Sequence, residues 1–440
     1  MDPILVGILG AAVLLVFIAM GIPIGIALLV AGFLGNVAIL GFSPALWTTV
    51  GSCFGRITNP AFLPLPLFIF LGLLASTGGI SRNVFDSLSL LIGRVRGGLG
   101  IATVLSCAAF GTVCGSSLVT ASVFARVSAP EMRRHGYDKL LAYGICSSAG
   151  IIGMLIPPSV MAIVFAMVSE LSVGELLVAG TGPGVLLTLI FSVGILLMAF
   201  KNPALVGGKA DVPKATWRQK IAGLKMFWPI LILTAVIFGG VFTGAFSPEE
   251  ASAVAAVVMV LIILLTYGPG RWGALASVTL DTASITAMIF LILMGAVVFS
   301  DLMVTSGVAS AMISFVSGYQ MSPWVFLITL QVVYLIMGCF LDSTSIICIT
   351  IPLVMPIART FHFDLIWFST ICIFTIEIGL ITPPVGLNVY AVKGVAESDV
   401  SLEEVFRGVL PFFFMELLAL ALMMIFPSTV TYLVDFMRVK

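Results

Sequence analysis

Two stretches hold the residues best suited to chemistry. A Pro-Pro pair occurs in Gly153-Met154-Leu155-Ile156-Pro157-Pro158-Ser159 and again in Gly379-Leu380-Ile381-Thr382-Pro383-Pro384-Val385, each inside an apolar run. Proline lacks a backbone donor and clashes with the preceding turn, so a helix breaks there. Each pair follows a run of small and polar residues, Gly111 to Ser117 and Gly338 to Ser345. Ser116 precedes Pro157 by 41 residues, and Asp342 precedes Pro383 by the same 41. At this register Ser117 falls on Ser343 and Gly153 on Gly379. Where helices break inside an apolar layer, bare peptide carbonyls and neighbouring hydroxyls form a cage suited to a hard monovalent cation, with Na⁺ the usual choice. Two sites follow. The first uses Ser116, Ser117, Gly153, Ile156 and Ser159. The second uses Gly338, Asp342, Ser343, Gly379, Thr382 and Val385, with Ile156 and Val385 offering only their carbonyls. The same small residues would also serve close helix packing. Two motif pairs at equal spacing favour ion sites.

Between the tips and the breaks lies room for a substrate. Helix N-terminal ends favour an anionic group, with Ser117, Thr344, Pro158, Pro384 and Asn388 as candidate contacts. Asn388 also suits a packing hydrogen bond. Asp342 has two open roles, capping the second limb of its hairpin or ligating the cation. Glu377 replaces the aligned Ile151 and has three: proton site, support for the broken helix, or lipid-interface residue. No arginine falls in this region unless Arg56 reaches it, so a carboxylate would be held by helix ends, hydroxyls and Na⁺.

The elements that position these residues must be membrane helices. The 440-residue chain is 60% hydrophobic and 9% charged, against about 25% charged in soluble domains. Apolar segments of about 20 residues separate the charged clusters, the pattern of an all-α polytopic protein in a lipid bilayer. Zero net charge suggests no nucleic-acid partner. The seven cysteines have no C-x-x-C spacing, and His135 and His362 lie in loops, so neither a metal cluster nor a catalytic triad can be assembled. No phosphate-binding loop occurs. The N-terminus has no basic secretory leader and begins with a span.

In order, spans are expected at 4–20, 24–40 and 61–80, with 43–60 at the interface and 82–96 as a surface arm. Residues 97–128 form a re-entrant hairpin, 140–168 a broken span and 176–200 a return. The basic stretch 201–225 is a cytoplasmic linker. Spans follow at 226–244, 249–267 and 275–300, then an arm at 305–319, a hairpin at 322–358, a broken span at 365–392 and a last span at 408–434. The chain thus reads as two repeats, 1–200 and 226–440. Five crossings plus one hairpin in each make them inverted. With the linker inside, only Arg56, Arg359, Arg438 and Lys440 of the 20 Lys and Arg fall outside, which places both termini in the periplasm.

Gly338-Cys339-Phe340-Leu341-Asp342-Ser343 and Thr382-Pro383-Pro384-Val385-Gly386-Leu387-Asn388 resemble the large membrane subunit of TRAP (tripartite ATP-independent periplasmic) transporters. So do Gly78-Gly79-Ile80-Ser81, Arg96-Gly97-Gly98-Leu99 and Ile156-Pro157-Pro158-Ser159. The resemblance runs from about residue 20 to 430. It implies a bacterial inner-membrane permease that works with a small four-helix membrane subunit and a periplasmic solute-binding protein. Such a permease imports an organic anion (a C4-dicarboxylate, keto acid or sialic acid) with Na⁺. It also implies an elevator of the ion transporter superfamily. The scaffold is then 1–60 with 226–275, plus arms 81–96 and 305–319. The moving core is 97–200, with hairpin 97–128, and 322–434, with hairpin 322–358. The family's first tip usually reads Ser-Gly-Ser followed by small residues and an Asp. Cys114-Gly115-Ser116-Ser117-Leu118-Val119-Thr120 has none, which leaves the substrate class open. The alternatives are a stand-alone Na⁺/dicarboxylate symporter of the divalent-anion superfamily and, from another class, an ion channel.

Overall fold

Runs of Leu, Ile, Val, Phe and Ala fold into helices that end where Gly, Pro or a capping polar residue stands. The computed structural model describes residues 2–207, 216–267, 272–318 and 321–438, and among them there is no named strand. Lys209, Asp211 and Lys214 of the linker, and Lys440, lie outside the described residues.

The first half opens with α1 (Pro3–Ala19), α2 (Ile24–Leu40), α3 (Phe42–Ile57), α4 (Pro64–Thr77) and α5 (Ile80–Ile92). The first hairpin is α6 (Gly98–Cys114) and α7 (Ser117–Val127), followed by the short α8 (Ala129–Arg134). The first broken span comprises α9 (Lys139–Ala149), α10 (Ile152–Leu155) and α11 (Val160–Ser169), bent by 48° at the Pro-Pro. Two further helices, α12 (Val173–Ala179) and α13 (Thr181–Lys201), complete this half.

The linker is not wholly irregular, because Trp217–Lys225 forms α14. Residues 226–244 hold α15 (Trp228–Thr234), a π-helical turn at Ala235–Gly239 and α16 (Gly240–Thr243). Then come α17 (Pro248–Tyr267), the 34-residue α18 (Trp272–Thr305) and the arm α19 (Val308–Gly318). The second hairpin is α20 (Pro323–Gly338) and α21 (Ser343–Thr360). The second broken span is α22 (Leu365–Gly379) and α23 (Leu387–Lys393).

The expected last span, 408–434, is corrected. Helix α24 (Leu402–Ile425) starts earlier, because Ser401 and Glu404 form a capping box there. It stops before Pro427, and Ser428–Arg438 is a separate helix, α25, tied to α12 by Arg438 Nη2–Glu175 Oε2 at 2.7 Å. Among the described residues six helices are long and apolar enough to cross a membrane, or seven with the bent pair counted as one span. Further apolar helices, among them α1, α2, α6, α20 and α22, have 10–17 residues.

Glycine sets the spacing of the tightest pairs. A Cβ on Gly32 of α2 would stand 2.7 Å from Phe299 N of α18, so backbone meets backbone there. Asn36 Nδ2 donates to Val298 O at 3.3 Å along the same seam. Residues 43–60, expected at the interface, pack as α3 against α18, with Ser52 Oγ donating to Asp301 Oδ2 at 2.8 Å. Helices α9 and α24 meet at Gly144 and Gly408, where a Cβ on Gly144 would lie 2.2 Å from Gly408 O. Lys139 Nζ pairs with Glu404 Oε1 at 2.7 Å, so the two helices run in parallel.

Beside this seam Arg133 grips Asp399 through two hydrogen bonds of 2.9 and 2.7 Å and also bonds Glu397. The Arg133 guanidinium holds the Asp399 carboxyl below the usual carboxylate range. A depressed carboxylate pKa adds stability above the unfolded value and loses it as pH falls through the folded one. Thermal stability of the detergent-solubilised protein should therefore fall on acidification below about pH 4. Arg133→Gln should flatten that part of the profile, and an unchanged profile would remove this clamp from the account. Gly408→Val should destabilise by roughly 1–3 kcal/mol through overpacking, read as a lower melting temperature in detergent. A wild-type melting curve would show that the seam yields.

Candidate functional site

Each half interrupts its helices where the small residues and prolines stand, and both Pro-Pro peptide bonds are cis. At the first tip Gly115 takes a left-handed φ of +66°, and a Cβ there would meet Pro158 O at 2.1 Å. Its carbonyl accepts from Val160 N at 3.2 Å, so tip and break complete each other's backbone bonding. The contact continues below, with Gly111 against Gly153 in the first half and Gly338 against Gly379 in the second. An added Cβ on either Gly111 or Gly338 would approach the opposing glycine's Cα to 2.7 Å.

Ser116 and Asp342, equivalent in the two halves, do the same local work. Ser116 Oγ accepts from Val119 N at 3.5 Å and caps α7. Asp342 accepts from Ser345 N at 3.1 Å and from Ser345 Oγ, and caps α21. Of the two roles left open for Asp342, the structure displays the cap. Ser159 caps α11, accepting from Ala162 N at 3.1 Å. Thr382 Oγ1 donates to Ile378 O at 2.9 Å, which leaves its oxygen free to accept or ligate. The side chain of Ile156 packs on Gly184, and Val385 is half-buried in the second break.

A cavity of about 310 Å³ lies between the tips. Ser116, Ser117, Asp342, Ser343 and Thr344 all line it. Pro158, Pro384 and Asn388 do not. Pro158 is buried against Gly115, Pro384 is exposed, and Asn388 is fully buried behind Leu387, which takes the place at the wall. Arg56 does not reach the cavity, since its Nη1 donates to Met167 O at 2.9 Å.

Glu377 is not a lipid-interface residue. It is 1% exposed, lines the cavity, and its Oε1 accepts from Ser343 Oγ at 2.7 Å. Sequence reasoning missed the opposite wall, made by Ile69, Gly72 and Leu73 of α4 and Ile285, Met288 and Ile289 of α18. Gly72 was the available signal, because a Cβ there would strike Cys114 O at 2.5 Å.

Four helices begin at this cavity. Ser117, Val160, Ser343 and Leu387 are the first residues of α7, α11, α21 and α23, and all four line the wall. Helix N-terminal N–H groups carry partial positive charge toward it. Cys114, the last residue of α6, and Leu380, just past the end of α22, also line the wall. The arrangement offers donors to an anion and oxygens to a cation, side by side.

An all-helical membrane protein with paired interrupted helices around a cavity lined by apolar side chains and a few hydroxyls and carboxyls has the build of a carrier. The chain belongs to the DctM component family of tripartite ATP-independent periplasmic transporters, whose family model matches residues 11–429. It is 35% identical over 406 residues to the C4-dicarboxylate TRAP transporter large permease protein DctM of Pseudomonas aeruginosa, covering 91% of each chain. It is 28% identical to the sialic acid TRAP transporter large permease protein SiaM of Vibrio cholerae, covering 93% of each. To the ectoine/5-hydroxyectoine permease UehC of Ruegeria pomeroyi it is 26% identical, over 96% of this chain and 97% of the relative. The solved YdaH transporter of Alcanivorax borkumensis shares the fold, with a TM-score of 0.61 at 15% identity over 96% of this chain and 97% of that one.

If the cavity is the transport site, Ser117→Trp should abolish uptake by the reconstituted transporter while membrane insertion and melting temperature stay near wild type. Normal uptake would place the transport route elsewhere.

Proposed function

We propose that the chain is the permease of a Na⁺-coupled, binding-protein-dependent importer of a small organic anion, such as a C4-dicarboxylate, keto acid or sialic-acid-like carboxylate. The observation that carries this reading is the convergence of four helix N-termini on one cavity without a lining arginine or lysine. A carboxylate there is held by N–H groups, by the hydroxyls of Ser117 and Thr344, and by cations bound beside it. The relatives' named substrates span dicarboxylates, sialic acid and ectoines, and the acidic ones fit this donor set.

Na⁺ would sit where a hairpin tip meets its break. The first position uses Ser116, Ser117 and the carbonyls near Gly153, Ile156 and Ser159. The second uses Ser343, Thr382 and the carbonyls near Gly338, Gly379 and Val385, with Asp342 supplying charge close by. Binding both ions would join tip to break and complete the anion site, so an empty cavity disfavours the carrying form. The reading includes a small membrane subunit and a periplasmic binding protein as partners, and an elevator movement of 97–200 with 322–434 against 1–60 with 226–275.

The test is uptake of labelled succinate, pyruvate and N-acetylneuraminate by proteoliposomes holding the assembled transporter, with Na⁺ or choline outside. Uptake of at least one acid should require Na⁺. Thr382→Ala should raise the Na⁺ concentration for half-maximal uptake about tenfold, the effect of losing one contact to a charged group of roughly 1.4 kcal/mol. Unaltered Na⁺ dependence would take Thr382 out of the site, and uptake indifferent to choline would end the Na⁺ reading.

A further inference from the structure

A second cavity, of about 410 Å³, stands beside the one between the tips and has no part in the account above. Leu73 of α4 and Val119 of α7 line both, so the two spaces meet at this pair of aliphatic side chains. The lining continues along single helix faces. On α7, Val119, Ser122 and Arg126 stand at i, i+3 and i+7, one face of the helix. On α4, Leu73 is followed at the same kind of spacing by Ser76 and Thr77. On α18, Ile285 of the first cavity leads back one turn to Asp281 of the second. Three helix faces thus run from the tips into the second space. It is the larger of the two, so it admits any cargo that the first one holds.

Along this route the wall turns from apolar to polar, and it gains the guanidinium that the first cavity lacks. Arg126 lies two turns, about 10 Å, beyond Val119. It is exposed, and among the described residues it has no hydrogen-bond or ion-pair partner. The Ser76 hydroxyl has none either. Asp281 faces the same space from α18, and the two charges form no ion pair. A cation in the last turn of α7 also complements the helix dipole. That accounts for the residue type, but a dipole partner needs neither a cavity nor hydroxyls around it. On the topology read from the basic residues, this end of the molecule faces the cytoplasm.

We propose that this cavity is a second binding station for the carried anion, on its way to the cytoplasm, where Arg126 and Ser76 take hold of the carboxylate once it has passed Leu73 and Val119. A guanidinium offers a fork of N–H donors matched to a carboxylate. Contact with water keeps such a pair weak, which suits a station that must let go. Asp281 weakens the hold further. This rests on the carrier reading above, in which the four helix ends receive the anion first.

The test is thiol labelling of Ser122→Cys in a Cys53→Ser background, on the assembled transporter in inside-out vesicles. The other six cysteines are buried, and labelling of the Cys53→Ser parent is subtracted. Anionic sulfonatoethyl methanethiosulfonate should react faster than the cationic trimethylammonioethyl reagent. Adding Arg126→Gln should shift that rate ratio about tenfold toward the cation. At least one of succinate, pyruvate and N-acetylneuraminate, at millimolar concentration, should slow the labelling. Arg126→Gln should abolish this protection, Arg126→Lys should keep part of it, and Asp281→Asn should deepen it. Labelling that no acid slows would overturn the proposal, as would protection that survives Arg126→Gln or a rate ratio indifferent to it. If Ser122→Cys does not insert, Ser277→Cys reports from the α18 wall. Na⁺-dependent uptake by the wild type, measured separately, tests the carrier reading. Uptake without protection sinks the second station alone, whereas protection without uptake keeps the anion site and sinks the carrier.

Discussion

Backbone groups inside hydrocarbon must find partners within the protein. Every unusual feature of this chain follows from meeting that demand at four helix interruptions. Tip one and break one bond to each other through Val160 N and Gly115 O. The second break closes on itself, with Asn388 N donating to Leu380 O at 3.0 Å. Ser116, Ser159 and Asp342 satisfy the first N–H groups of the helices that restart. Glycines at 111, 153, 338 and 379 let the backbones come near enough for these arrangements to share one centre. A side chain at any of them would push tip from break and leave peptide groups bare.

Once the interruptions are in place, the electrostatics follow without any basic residue in the wall. Helices that restart at the cavity bring the positive ends of their dipoles to it. Neither arginine nor lysine lines the wall, so no guanidinium is desolvated there. Arg56 and Arg133 illustrate the division of labour. The first donates to the Met167 carbonyl near the end of α11, and the second clamps the loop before α24.

The breaks were legible in the sequence because proline and small polar residues inside apolar runs have few other uses, and the 41-residue spacing tied the two sets together. Boundaries set by caps were legible only in part. The capping box at Ser401 and Glu404 moves the start of α24 ahead of the expected 408, and Pro427 splits off α25. What the sequence hid was side-chain direction. Asn388 and Leu387 are neighbours, yet the first is sealed behind the second, because the left-handed Gly386 fixes how α23 starts. Glu377 was visible as an oddity, but its bond to Ser343 depends on how α21 and α22 meet. The wall from α4 and α18 carried no polar marker and so no signal beyond Gly72.

The two sets of interruptions resemble each other locally and differ in their acids. At equivalent positions Ser116 faces Asp342, Ile151 faces Glu377 and Ile190 faces Glu416. In each case the acid is in the second half, and both Glu377 and Glu416 are buried there. Capping and close approach at the interruptions need little more than small residues. Negative charge is a different matter, because each added acid inside the membrane must be neutralised by something that arrives. Asp342 and Glu377 both line the cavity beside Ser343, whereas the first half contributes the hydroxyls of Ser116 and Ser117 to the same wall, so the two halves present unlike charge to one space.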